Sequence, residues 1–145
     1  MAGLGRVEGG AVAGALVGIL ALAGCAAPSV EARAVGPTTV LMRVGGSDIE
    51  EQAAFVGSID VESGCLVARA EGGDVIGIVL PDEARVADRA GGLEVEFDGL
   101  VTEVGDPVLL GGGYREAASV GSVPDECEHS EYFQPNARQG EEPAE

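Results

Sequence analysis

Between residues 93 and 97 apolar and acidic positions alternate without a break, with Leu93, Val95 and Phe97 on one side and Glu94 and Glu96 on the other. A period of two sends successive side chains to opposite faces, so the pattern predicts a half-buried strand with its acids in solvent. Asp98-Gly99 follows, a pair suited to a two-residue hairpin turn in which both central positions need positive φ. Residues 65–81, CLVARAEGGDVIGIVLP, read as two strands joined around Gly72-Gly73. Shorter apolar runs at 40–44, 55–61, 108–110 and 132–133 predict further strands. Short strands broken by glycine-rich turns indicate an all-β fold, a small sandwich or barrel.

Only one segment carries helix signals. In residues 81–90, PDEARVADRA, a proline leads two acids, which suits the first turn of a short helix. The glycine pairs at 45–46, 72–73 and 91–92 predict turns, and Gly111-Gly112-Gly113 predicts a turn or β-bulge. Residues 26–39 hold two prolines, small residues and little periodicity, which predicts that 25–39 is a flexible tether. Residues 137–145 have no apolar residue larger than alanine and read as a disordered tail. The folded part is then an acidic β-domain over 40–136.

The N-terminus shows a different pattern. Residues 9–30 contain no charge, Arg6 precedes them, and 11–23 form an apolar run that ends at Cys25. Leu22-Ala23-Gly24-Cys25 resembles the lipobox of bacterial lipoprotein precursors, an aliphatic residue and two small ones before a cysteine. The resemblance implies a signal peptide over 1–24, a diacylglyceryl thioether on Cys25 and cleavage between Gly24 and Cys25. The residue types suit that chemistry, because a thiol is a far better nucleophile than a hydroxyl at neutral pH. Two or more acyl chains also hold a protein to a bilayer where one does not. Two alternatives remain open from the residues alone: cleavage after Ala21-Leu22-Ala23 with release of a soluble protein, and an uncleaved membrane-spanning helix.

Composition narrows the function. Eight basic residues, all arginine, stand against 25 acids, for a net charge of −17. Such a field repels phosphates and disfavours nucleic acid or an anionic membrane surface as a direct partner. The chain has two Tyr, three Phe and no Trp, so aliphatic residues must fill the core and an aromatic stacking platform is not expected. Residues 104–114, VGDPVLLGGGY, resemble a stretch of oligonucleotide-binding-type barrels in which a Gly-Asp turn feeds a strand. That resemblance implies the architecture and not the nucleic-acid activity. Gly64-Cys65-Leu66, the triple glycine and a late cysteine also resemble uncharacterised small actinobacterial lipoproteins, with no activity implied.

Of three cysteines, Cys65 and Cys127 remain once Cys25 is assigned to lipid, and in an oxidising compartment they are expected to pair. The other reading is two free buried thiols. Residues 124–133 gather Asp125, Glu126, Cys127, Glu128, His129 and Glu131, but the spacing lacks the paired pattern of a zinc site, and an exposed acidic loop is the plainer reading. His129 is the one histidine, and Ser58, Ser119 and Ser130 are its possible serine partners, without a supporting motif. No catalytic residue, cofactor or metal ligand is assigned. The sequence therefore points to a lipid-anchored protein on the outer face of the cell membrane, a non-catalytic binding or envelope-associated module with a protein or cell-wall partner. A cation-binding protein using its acidic surface is the alternative.

Overall fold

The computed structural model describes residues 29–45 and 51–139. Ten strands occur among them: β1 (Ser29–Val35), β2 (Thr38–Val44), β3 (Ala53–Glu62), β4 (Cys65–Ala70), β5 (Val75–Leu80), β6 (Arg85–Arg89), β7 (Gly92–Phe97), β8 (Leu100–Glu103), β9 (Pro107–Glu116) and β10 (Glu131–Pro135). A single-turn helix, α1 (Ala117–Val120), and a 3-10 turn at Asp125–Cys127 lie between β9 and β10. The expected all-β class is what forms: seven strands in one sheet and three in another, packed as a sandwich.

Within the larger sheet the pairing runs in a closed circuit. β3 pairs antiparallel with β4 and β9, β9 with β10, and β4 with β5, while β10 and β5 run parallel through Tyr132↔Gly77 and Phe133↔Ile78. Numbered one to five in chain order, these strands pair 1-2-3-5-4-1 with the third and fifth parallel. That is the strand order of the oligonucleotide-binding-type barrel to which residues 104–114 bear a resemblance. β2 wedges between the splayed ends of β4 and β5, through Thr39↔Cys65, Leu41↔Val79 and Met42↔Leu80.

Period-two alternation decides what goes inside. Phe55 and Ile59 of β3, Leu66 and Ala68 of β4, Ile78 and Leu80 of β5, Val108 and Leu110 of β9, and Phe133 of β10 fill the barrel. The β6–β7–β8 meander lies between the third and fourth barrel strands in sequence and adds Leu93, Val95 and Phe97 to the same core. As expected, these three are buried, and Asp98 and Gly99 take positive φ of 49° and 76° in the β7–β8 turn. β4 and β5 meet around Gly72-Gly73, also as expected.

Four expectations give way. Residues 81–90 form no helix: after a turn closed by Ala84 N–H donating to Pro81 O at 3.0 Å, the chain becomes β6. There Val86 opposes Val95 and Arg85 opposes Glu96, cross-strand pairings that outweigh a weak local helix signal. The flexible tether expected over 25–39 is folded from Ser29 onward, as β1, a two-residue turn at Gly36-Pro37, and the start of β2. The triple glycine is neither turn nor bulge but the middle of β9. Of the tail expected to be disordered over 137–145, residues 137–139 are held, since Gln139 hydrogen-bonds both backbone groups of Gly111, and 140–145 lie outside the described residues.

Candidate functional site

The second and third barrel strands turn their outer face toward the loop after the fourth. Here that face belongs to β4 and β5, and the loop after the fourth barrel strand is the segment 117–130. Cys65 and Val67 alternate with Leu66 and Ala68, so they point out of the barrel, and both are nonetheless fully buried. What buries this face is the chain itself. A second apolar cluster joins Leu41, Cys65 and Val79 of the strands to Val120 and Cys127 of the loop and Tyr132 of β10, with Val30 and Val123 packed on its margin.

Three attachments hold the loop down. The Cys65–Cys127 disulfide is formed, with Cα atoms 5.4 Å apart across 62 residues of sequence. Tyr132 lays its ring over Gly77, where a Cβ would come within 2.1 Å of the ring. Its hydroxyl donates to Cys127 O at 2.9 Å and accepts from His129 N–H at 3.0 Å, so both polar ends of the turn are satisfied. Thr39 Oγ1 donates to Glu126 Oε1 at 3.2 Å. The expected disulfide is thus the clasp of a flap.

Between α1 and the acidic turn the flap leaves a cleft of about 390 Å³, lined by Ser122, Val123, Glu128, His129, Ser130 and Tyr132 among others. The His129 ring stands edge-on to Tyr132 with centroids 6.0 Å apart. Of the three serines named as partners, Ser130 adjoins this cleft, whereas Ser58 lies on β3, opposite Arg69 and Pro107. Among the described residues the imidazole hydrogen-bonds none of them; the recorded bond of His129 is through its backbone. Asp125, Glu126, Glu128 and Glu131 are exposed, and among the described residues no three of His, Cys, Asp or Glu converge as a ligand set. Leu22, Ala23, Gly24 and Cys25 lie outside the described residues.

A polar network unforeseen from the sequence crosses β9 at the triple glycine. A Cβ on Gly113 would lie 1.5 Å from Glu51 Oε2, and one on Gly112 2.3 Å from Gln134 O, so absent side chains are what let these groups approach. Glu51 forms a two-pronged ion pair with Arg115, one prong at 3.0 Å, and exchanges hydrogen bonds with Asn136. The Arg115 guanidinium, by hydrogen bonding first and charge second, holds the Glu51 carboxyl below its usual 4.5 against the opposing effect of burial. A depressed folded-state pKa contributes stability above the unfolded value and loses it as pH falls through the folded one. The fall in urea midpoint from about pH 5 to about pH 3 is therefore expected to be smaller in Glu51→Gln than in wild type. An unchanged acid profile in that variant would show the pair contributes nothing.

Comparison with protein-family models finds no match, and comparisons with curated proteins and with solved structures find none either.

Proposed function

We propose that this chain is an extracytoplasmic lipoprotein, tethered through acyl chains on Cys25 and acting as a non-catalytic binding module for a protein or cell-wall component at the outer face of the cell membrane. The observation that carries the reading is the partnering of the cysteines. Cys65 and Cys127 join each other, which leaves the thiol of the Leu22-Ala23-Gly24-Cys25 segment outside any intrachain disulfide and free for acylation. A disulfide at the centre of a packed flap also suits an oxidising compartment.

The early start of β1 gives the anchor a consequence. Only Ala26, Ala27 and Pro28 separate Cys25 from Ser29, and at about 3.5 Å per residue the fully extended chain from Cys25 to Ser29 spans about 14 Å at most. A domain held so closely rests against the headgroups instead of standing off them. Its net charge of −17 makes an anionic wall polymer a poor ligand and a cationic or neutral surface a better one. The binding rather than catalytic assignment rests on the scarcity of general bases: one histidine and no lysine.

Intact mass spectrometry of the protein from membranes, beside Cys25→Ser, tests this. A chain beginning at Cys25 with the added mass of a diacylglyceryl group, lost in the variant, is expected. An unmodified chain beginning at Gly24, or an intact Met1 form, would overturn it.

A further inference from the structure

β1 is the outermost strand of its sheet, and among the described residues it pairs with β2 alone. The direction of its backbone groups follows from β2. Thr39 donates its N–H to Gly64 O at 2.8 Å, away from β1. Residues alternate in a strand, so Thr38, Val40, Met42 and Val44 turn toward β1, where their partners are Val35, Arg33, Glu31 and Ser29. Val30, Ala32 and Ala34 therefore aim both N–H and C=O at the open edge, and residues 31–34 are exposed. An edge of this kind is a template for another strand.

We propose that this edge binds a second copy of the same chain, β1 against β1 antiparallel, about a twofold axis through Ala32. Hydrogen bonding requires outward-facing residues to oppose outward-facing ones, which restricts the register to steps of two. Centring on Ala32 pairs Val30 with Ala34 of the second copy, and Ala32 with Ala32, so that every outward N–H and C=O finds a partner along the full seven-residue strand. The same register sets Glu31 opposite Arg33 of the second copy, twice over, at the closer non-hydrogen-bonded positions. A shift of two residues one way opposes Glu31 to Glu31, and the other way Arg33 to Arg33. Charge thus selects the register that hydrogen bonding already favours. Within one chain Arg33 and Glu31 already approach to 3.3 Å on one face of the strand, so a second copy offers each an added partner at the same height. Small side chains at Ala32 and Ala34 leave the approach unobstructed on the other face; β6 also touches β1, and its Asp88 comes up against Gly36, beyond the last pair. The pairing does not depend on acylation of Cys25.

Sedimentation equilibrium of the full chain in detergent tests the proposal, with Glu31→Arg, Arg33→Glu, the two combined, and Ala32→Pro. A wild-type dimer is expected, weakened on the order of tenfold by each single reversal and restored by the combination, because every cross-strand pair changes sign together. Ala32→Pro is expected to abolish the dimer while the circular dichroism and the Cys65–Cys127 disulfide persist, since the lost N–H serves no bond to β2. A wild-type chain that stays monomeric at all concentrations overturns the proposal. So does a dimer indifferent to Ala32→Pro, or one that the combined reversal fails to restore.

Discussion

Opening the Cys65–Cys127 disulfide, by reduction of the folded protein or by Cys65→Ala/Cys127→Ala, is expected to lower the unfolding free energy by about 2–4 kcal/mol. The crosslink joins residues 62 apart, and in the chain-entropy treatment a loop of that span restrains the unfolded chain by roughly 4 kcal/mol. Native-state effects add to this in the substituted protein. Both cysteines are fully buried in the second cluster, and shortening them removes contacts with Leu41, Val79 and Tyr132. Reduction leaves those contacts nearly intact, so the difference between reduced and substituted protein separates packing from crosslink. Urea unfolding monitored by circular dichroism measures both. The denaturant dependence should steepen without the bridge, because the unfolded chain then exposes more surface. Equal midpoints for oxidised and reduced protein would mean that the clasp adds nothing to the flap.

Gly77→Ala should be nearly as damaging, at about 2–4 kcal/mol. Gly77 sits between Val67 of β4 and Tyr132 of β10 in the register of the barrel, so its backbone has partners on both sides. The added methyl would fall 2.1 Å and 2.3 Å from two carbons of the Tyr132 ring. The ring cannot swing aside at little cost, because its hydroxyl is bonded to Cys127 O and His129 N–H and the side chain is only 1% exposed. Relief must come from moving the flap or from prising β5 away from β10. A double-mutant cycle with Tyr132→Ala isolates the cause: once the ring is gone, Gly77→Ala should cost under about 1 kcal/mol. Additive losses would place the damage in the backbone of β5.

Where the sequence was informative, the signal was local. Leu93, Val95 and Phe97 alternate with acids that have no reason to be buried, and Asp98-Gly99 supplies the positive φ that the hairpin requires, so strand, face and turn were legible within eight residues. The segment at 85–89 misleads for the complementary reason. Its local signals, a proline and two acids just ahead of it, are helical, while the partners that make it a strand, Val95 and Glu96, lie ten or so residues further on. β1 was hidden by Ala32 and Ala34, too small to register as an apolar stripe, although the strand is held by seven pairings to β2. The triple glycine resisted for a third reason: what its missing side chains admit comes from Glu51, Gln134 and Gln139, remote in sequence and brought together only by the barrel.

The candidate site followed the same division. Cys65 and Cys127 could be paired by counting, and His129 could be noticed as the one histidine. That the segment between β9 and β10 folds back to cover the outer face of β4 and β5 could not be read in advance. It depends on Tyr132 reaching Cys127 O across a turn and on Gly77 leaving room for the ring.

The parallel pairing of β5 with β10 also sets a kinetic problem. Gly77 must find Tyr132 with the whole β6–β7–β8 meander in between, a search that slows folding as the entropy of closing the loop rises. The disulfide spans nearly the same stretch, from Cys65 before β5 to Cys127 before β10. A chain oxidised early has already made most of that closure, and its last two strands meet as near neighbours. A reduced chain must complete the long search with an exposed β-edge on either side, at the stage when such edges most readily find the wrong partner.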